Sequence, residues 1–429
     1  MKYIITTLGC KVNQYETQAI ETILNSDGHF PAGENEKADC VIVNTCAVTA
    51  ESGRKSRQAI RKLSSEYPDA VIAVGGCYSQ LSPEDVKDLG AKVVFGSSDR
   101  GAFVQAIERA VESGENSVSV DDPFKRKTLE LLPSGAVSGR TRAMLKIQDG
   151  CVNFCSYCII PYTRGRILSL PAERAVSEAK DLAEKGYREI VLTGIEIASY
   201  GLDLKDRISL KDIVFAVSEA VPDVRIRLGS IEPTAITEDF CRTLSKCRNL
   251  CPHFHLSLQS GCDRTLEAMK RKYATGEFAE TVKRLRYYFP GCALTADLIT
   301  GFPGETEEDH RTTLEFIKSI GFSAMHVFPY SRRPGTPADK MPDQISQKVK
   351  NRRAKEAAEV AGQMQMGFIE EHVGKEFEVL FENEEDSVWQ GHSADYILCK
   401  MKGKELHGRL LKVRAIKADK KCLLCEEVR

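Results

Sequence analysis

The stretch DGCVNFCSYCIIPYTRGR, Asp149 to Arg166, sets Cys151, Cys155 and Cys158 within eight residues, directly after the β-rich run AMLKIQD. A closed structural zinc site takes four ligands, and the nearest other thiols are Cys77 and Cys241, so a zinc knuckle fits poorly. A thioredoxin-type pair would use Cys155 and Cys158 but leave Cys151 without a role. Iron–sulfur clusters are held by cysteine runs with such short separations. Three thiolates on a four-iron cube leave one iron open, and an open metal position marks chemistry rather than scaffolding.

Outward from this stretch, the runs AMLKIQD, EIVLTG, VRIRLGS, FHLSLQS, ALTADLITG and AMHVFPY read as strands. They are separated by amphipathic segments such as PAERAVSEAKDLAEKG and TEEDHRTTLEFIKSIG. Six βα units are too few for an eight-fold barrel, so the expectation is a partial, open barrel with its chemistry at the strand carboxyl ends. Residues 1–114 read as a separate α/β domain, with strands YIITTLG, CVIVNT, AVIAVGG and KVVFG in a parallel sheet flanked by helices. Cys10, Cys46 and Cys77 each follow one of these strands, so all three converge on the sheet edge where ligands bind. Residues 115–140, rich in Ser, Gly, Pro and charge, read as a linker. The barrel with an exit helix from about Asp343 to His372 fills 141–372, and the short strands of 373–429 read as a small all-β barrel. Cys241, Cys247, Cys251, Cys262 and Cys292 share no edge and read as core, and Cys422 and Cys425, with Cys399, read as structural.

Lys and Arg number 60 against 61 Asp and Glu, so any nucleic-acid contact must come from local patches. RKSRQAIRK (Arg54 to Lys62), FKRK and KVKNRRAK are such clusters, whereas 373–429 carries eleven basic and eleven acidic residues. No window nears roughly 18 uninterrupted apolar residues and no signal peptide is evident, so no membrane contact and a cytoplasmic location are expected. Fifteen cysteines, an odd number, argue against a disulfide framework in a reducing compartment.

The CxxxCxxC pattern, with Tyr157 before its last cysteine, at the end of the first strand of a partial barrel resembles the radical S-adenosylmethionine superfamily. LTGIEI, with Gly194, Ile195 and Glu196, resembles the segment that receives the methionine amino group, and ITGFPGET, with Gly301 and Gly304, the segment bordering adenine. Cys10, Cys46 and Cys77 on an N-terminal α/β domain resemble the second cluster of the methylthiotransferase branch, and the C-terminal barrel resembles the RNA-gripping TRAM domain. The resemblance implies two 4Fe-4S clusters, one on each trio of cysteines. The Cys151/Cys155/Cys158 cluster would chelate S-adenosylmethionine and, on one-electron reduction, release a 5'-deoxyadenosyl radical that abstracts hydrogen from carbon.

LGCKVNQYE resembles the branch acting on N6-threonylcarbamoyladenosine beside the anticodon of tRNA, and RRPGT, Arg332 to Thr336, resembles the tRNA-acting branches more than the one that modifies a ribosomal protein. That implies methylthiolation of carbon 2, with tRNA, an external sulfur source and a flavodoxin- or ferredoxin-type electron donor as partners, and a monomeric enzyme. Methylthiolation of N6-isopentenyladenosine or of a ribosomal-protein aspartate is the alternative within the family, and a zinc-stabilised RNA-binding protein the alternative outside it. The threonylcarbamoyl group carries a carboxylate, so a cationic donor should line its pocket, and Arg332 or Arg333 after the sixth strand is the candidate.

Overall fold

The computed structural model describes residues 1–33, 36–133 and 141–428. Successive side chains of a strand point to opposite faces, and in the N-terminal domain both sets are apolar. Cys40, Ile42, Val71 and Ala73 pack with Ile20, Phe103 and Ile107 on one face of the sheet. Val41, Val43, Ile72 and Val74 pack with Ile60 and Val86 on the other. Strands of this kind belong in a sheet covered by helices on both sides. The sheet is parallel throughout, in the order Phe30–Pro31, Lys2–Thr7, Cys40–Thr45, Val71–Gly76, Val93–Phe95, Ser117–Ser119.

The two outermost strands are additions to the four read from sequence. Ser117–Ser119 falls in the segment expected to be a linker, 115–140, yet it pairs with Val93–Phe95, so the N-terminal sheet runs past residue 114. As an edge strand it faces solvent, with Val118 exposed, which is why it lacks the apolar pattern of its neighbours. Further along, Leu132 packs against Tyr15 and Ala19, and Leu129 joins the barrel core. The linker's last seven residues, 134–140, lie outside the described residues.

The central domain is an arc of parallel strands. Arg142–Lys146, Glu189–Thr193 and Arg225–Leu228 form one sheet, and Ser230–Ile231, His253–Gln259, Ala293–Thr300 and Ala324–Pro329 the next. The third expected strand, VRIRLGS, breaks at Gly229, whose amide donates to the Leu192 carbonyl at 2.9 Å, while Ser230–Ile231 pairs onward with His255 and Leu256. With that split the six expected strands make one open arc. Its outer face is buried under helices through Leu182, Val217, Phe240, Leu285 and Ile317. Its inner face is polar, with Glu189, Arg225, Arg227, His253 and Thr295 all buried.

The exit helix is Gln347–Glu370, inside the expected bounds. It leads into a closed five-stranded barrel of Glu376–Glu385, Val388–Ser393, Leu398–Lys402, Cys422–Glu427 and Leu410–Asp419 in that order round the ring. SVWQGHSADYILCKM supplies two antiparallel strands, and the loop joining them carries Tyr396 at φ +71°. Cys399, Cys422 and Cys425 are buried within this barrel, and Cys241, Cys247, Cys251, Cys262 and Cys292 are buried in the central domain. Among the described residues no helix is long and apolar enough to cross a membrane.

Candidate active site

The carboxyl ends of the N-terminal strands bring Cys10, Cys46 and Cys77 together. Cys77 and Arg164, and then Cys46, act electrostatically on Cys10, and Cys77 likewise acts on Cys46. Gly9 turns the chain at φ +112°, and a Cβ there would fall 2.9 Å from Cys46 Cβ and 3.0 Å from its Sγ, so only glycine lets the first and second loops close this tightly. Asn13 stitches the same two loops, its Nδ2 donating to the carbonyls of Leu8 at 2.8 Å and Thr45 at 2.9 Å. Cys10 lines a cavity, and burial by the surrounding protein pushes its thiol up to about 11 against the pull of Arg164.

Arg164 comes from the other cysteine loop and is fully buried. Its Nε donates to Cys77 Sγ at 3.3 Å, and its Nη2 to Asn13 Oδ1 at 3.1 Å and Glu16 Oε2 at 3.2 Å. Arg100 pairs with Glu16 at 2.8 Å, and Lys146 pairs with Glu16 at 3.1 Å and Asp149 at 2.5 Å. Three buried cations thus share two carboxylates by direct pairing, because the nearby Glu130 caps the Asp99 and Arg100 amides instead. Arg164, the one of the three that also reaches a sulfur, sets positive charge against Cys77, and the negative charge that a cysteine carries as a metal ligand would complement it. Glu16 is held well below the usual carboxylate range: burial opposes this, but Arg164, Arg100 and Lys146 outweigh it.

The second trio is built by a loop whose ends are tied. Gln148–Asp149 pairs with Leu168–Ser169, and Gly150, at φ +75°, approaches the Arg166 carbonyl so closely that a Cβ would lie 1.7 Å from its oxygen. Within the loop the Cys158 amide donates to the Cys155 carbonyl at 2.9 Å. Burial pushes the Cys151 and Cys158 thiols up to about 12. Arg271 serves this trio as Arg164 serves the first. Its Nη1 donates to Cys155 Sγ at 3.2 Å, its Nη2 to Glu232 at 2.7 Å, and its guanidinium lies 5.1 Å from the centre of the Tyr273 ring. Both trios therefore have the donor set of a thiolate cluster, with a buried arginine against one sulfur of each. Among the described residues no three His, Cys, Asp or Glu side chains close into a shell around a single ion; the three thiolates of a cube each bond a different iron.

Gly194 and Glu196 follow the second barrel strand, as expected, and lie against the Cys151 loop. A Cβ on Gly194 would meet the Gln148 carbonyl oxygen at 2.8 Å, the Glu196 amide donates to Gln148 Oε1 at 2.8 Å, and Asn153 Nδ2 donates to Glu196 Oε2 at 3.4 Å. Burial, then the neighbouring Glu232, raises the Glu196 carboxyl to about 7. Between about pH 4.5, where the unfolded chain releases this proton, and pH 7, where the folded protein does, stability falls as pH rises. Glu196→Gln removes that dependence, so the cluster-free variant should gain about 2–3 kcal/mol on the parent between pH 5 and pH 8 in thermal unfolding. Equal pH slopes for the two proteins would refute this.

The cavity into which Cys10 opens has a volume of about 790 Å³ and is walled by all three domains. Gly9 to Val12 close one side, Thr193, Gly194, Gly229, His255, Asp297 and His326 of the arc another, and Phe368 of the exit helix a third. Its floor is the Ser393–Ile397 loop of the C-terminal barrel. Tyr396 stacks between His253, at 5.0 Å, and His392, at 4.8 Å, with the Arg227 guanidinium 4.8 Å and that of Arg142 5.4 Å from its ring centre. Arg227 also holds the loop's backbone, donating to the carbonyls of Ala394 at 2.9 Å and Ser393 at 3.2 Å.

The remaining expected residues fall elsewhere. Tyr157 packs with Met269, Phe302 and Tyr330, and its hydroxyl accepts from Arg271 at 3.4 Å. Gly301 backs onto Lys350 of the exit helix, and the Gly304 carbonyl accepts from Arg264 at 2.7 Å; neither lines the cavity. Arg332 is exposed and pairs with Asp339 at 2.7 Å. Arg333 is buried and reaches the Thr49 carbonyl at 3.4 Å. Burial lowers its pKa, while Cys46, Tyr78 and Cys77 oppose that effect. The structure thus places neither arginine in the cavity wall: the first turns to solvent and the second faces the N-terminal thiols. The residues that sequence reading passed over, Asn13, Glu16, Lys146, Arg164 and Arg271, lie within or just beside the quoted motifs. Asn13 and Glu16 lie on the polar first turns of the Lys11–Ser26 helix, and Lys146, Arg164 and Arg271 are charges in a strand, the short Ile160–Arg164 helix and a loop, with nothing in the sequence to show which partner each would find.

Residues 145–317 match the Radical SAM superfamily, and residues 2–96 match uncharacterized protein family UPF0004. The "Threonylcarbamoyladenosine tRNA methylthiotransferase MtaB" of Bacillus subtilis is 39% identical over 420 residues, covering 96% of this chain and 93% of the relative. The protein of that name from Aquifex aeolicus is 33% identical, covering 96% and 100%. The "tRNA-2-methylthio-N(6)-dimethylallyladenosine synthase" of Syntrophomonas wolfei is 34% identical, covering 97% and 96%. Among solved structures the radical S-adenosylmethionine methyltransferase TsrM from Kitasatospora setae superposes with a TM-score of 0.59 at 15% identity, covering 90% of this chain and 79% of that one, a likeness of fold. Full-length identity of this degree, with the Radical SAM match over residues 145–317, makes the chain a member of the radical S-adenosylmethionine methylthiotransferase family, in the branch of the MtaB proteins.

Proposed function

We propose that the chain converts N6-threonylcarbamoyladenosine next to the anticodon of tRNA to its 2-methylthio derivative. The observation that carries this reading is the pair of thiol trios, each backed by a buried arginine, in a chain aligned almost end to end with threonylcarbamoyladenosine tRNA methylthiotransferases. Cys151, Cys155 and Cys158 would hold one 4Fe-4S cluster and Cys10, Cys46 and Cys77 the other. S-adenosylmethionine at the first cluster supplies, on one-electron reduction, an oxidant able to take hydrogen from carbon, and the second cluster supplies sulfur.

The protein's own groups prepare this chemistry. Arg164 and Arg271 donate to the sulfurs of Cys77 and Cys155 and so would orient them as cluster ligands. Glu196 and Glu232, both close enough to act on Cys151, would hold the methionine ammonium, whose positive charge would draw the Glu196 carboxyl, raised by burial, into its ionised form. The three-domain cavity encloses the nucleoside and excludes water, which protects a reactive radical step from side reactions. Arg333, facing Cys46 and Cys77, would steady the N-terminal cluster. A flavodoxin- or ferredoxin-type protein would deliver the electron and an external source the sulfur, with a single chain acting on tRNA in the cytoplasm.

Nucleoside mass spectrometry of tRNA from a deletion strain, with and without the restored gene, tests the reading. Loss of 2-methylthio-N6-threonylcarbamoyladenosine with accumulation of its precursor is expected. Loss of the isopentenyl derivative instead, or of ribosomal-protein methylthiolation, would overturn it.

A further inference from the structure

The floor of the cavity holds more positive charge than it pairs. Arg142 is bound to Glu382 at 2.7 Å, while Arg225 and Arg227 share Glu189 at 2.5 and 2.6 Å. Lys11 lines the cavity beside them and makes no ion pair among the described residues. Of the cavity's other carboxylates, Asp395 binds His372 at 2.8 Å and Asp297 faces His255 at 3.4 Å. Lys11, Arg142 and Arg227 all act on Tyr396, and of these three cations Lys11 alone has no ion pair among the described residues. The Tyr396 phenol registers the field: burial alone would raise its pKa, but Arg142, Lys11 and Arg227 outweigh burial and lower it. A buried excess of charge is costly unless an ion of opposite sign joins it.

We propose that Lys11, backed by Arg142 and Arg227, receives the carboxylate of the threonylcarbamoyl group and so distinguishes that nucleoside from those with neutral N6 substituents. The assignment rests on the function proposed above. Lys11 directly follows Cys10, so an anchored carboxylate holds the attached adenine beside the N-terminal trio. Lysine suits the task as a single mobile charge, whereas the arginines behind it are committed to Glu189, Glu382 and the loop backbone.

The test is equilibrium binding of anticodon stem-loop RNA to the full-length, cluster-loaded protein, as wild type, Lys11→Met and Lys11→Arg. The RNA carries N6-threonylcarbamoyladenosine, N6-isopentenyladenosine or plain adenosine, and the S-adenosylmethionine affinity of each protein is measured in parallel. Wild type should prefer the carboxylate-bearing RNA by about tenfold or more, the worth of one hydrogen-bonded charge. Lys11→Met should bring the ratio to about one, and Lys11→Arg should keep most of it. A Met variant that retains the preference overturns the proposal. Equal weakening of all three RNAs would assign the lysine to phosphate, and a loss confined to S-adenosylmethionine would assign it to the cofactor carboxylate; both overturn it as well. Should Lys11→Met fail to keep its iron, Lys11→Gln is read for the same ratio. Wild type that forms no methylthio product on the carboxylate-bearing RNA sinks the functional reading itself, whereas product formation with an unchanged ratio in the variant sinks this assignment alone.

Discussion

Cys151→Ala protein, isolated without oxygen, forms no detectable methylthio product, a loss of at least about a thousandfold, because hydrogen at carbon 2 of adenine has no acid–base route to removal. Its iron falls by about half, to roughly the four atoms of one 4Fe-4S cluster, since Cys10, Cys46 and Cys77 lie on a separately folded sheet edge. The chain itself stays folded: Cys151 is half-buried in a loop whose ends are tied by the Gln148–Ser169 and Asp149–Leu168 pairs. Cys10→Ala gives the complementary result, product lost but reductive cleavage of S-adenosylmethionine retained. Normal turnover by Cys151→Ala, or equal loss of cofactor cleavage in both variants, would contradict the division of labour between the trios.

Arg164→Met should lower stability by about 3–5 kcal/mol, the usual result of removing one partner from a buried charge network. The residue is fully buried and binds Glu16, Asp149, Asn13 and Cys77, so its loss takes a charged hydrogen-bond donor from four buried groups at once, leaving Glu16 only the cations Arg100 and Lys146 and Asp149 only Lys146, and frees the loops that Asn13 joins. Denaturant unfolding of the cluster-free protein reads the first effect. Iron retained at the N-terminal trio reads the second, and should fall even though no iron ligand has changed. Arg164→Lys keeps the charge but cannot reach four partners with a fork of donors, so it should recover only part of either. A variant as stable as the parent, with full iron, would show that the network is ornamental.

The C-terminal barrel shows how tertiary context revises a local reading. SVWQGHSADYILCKM has the look of one strand region with a polar break, and Tyr396 within it carries no sign of importance. In the fold the break is a loop thrust against the inner face of the arc, where Arg225 and Arg227 hold its carbonyls and Tyr396 forms the cavity floor. Likewise Arg332 and Arg333 follow the last strand of the arc, the right place for a pocket residue by topology. One turns to solvent and the other toward the N-terminal domain, because the chain after Pro329 leaves the arc to pack on the Thr49 loop.

The sequence by itself determined the three-domain order, the parallel sheet, the six-strand arc and the two cysteine trios. Each of these is written in local terms: residue alternation, helical period, turn residues, and thiols at strand ends. What only the tertiary structure decided is the set of ionic partners, Arg164 with Cys77 and Glu16, Arg271 with Cys155 and Glu232, and the unpaired Lys11. Charges interact through space at distances of a few ångströms, and residues up to 148 positions apart in the chain meet there. No spacing rule records which of 60 basic side chains will be buried beside which acid.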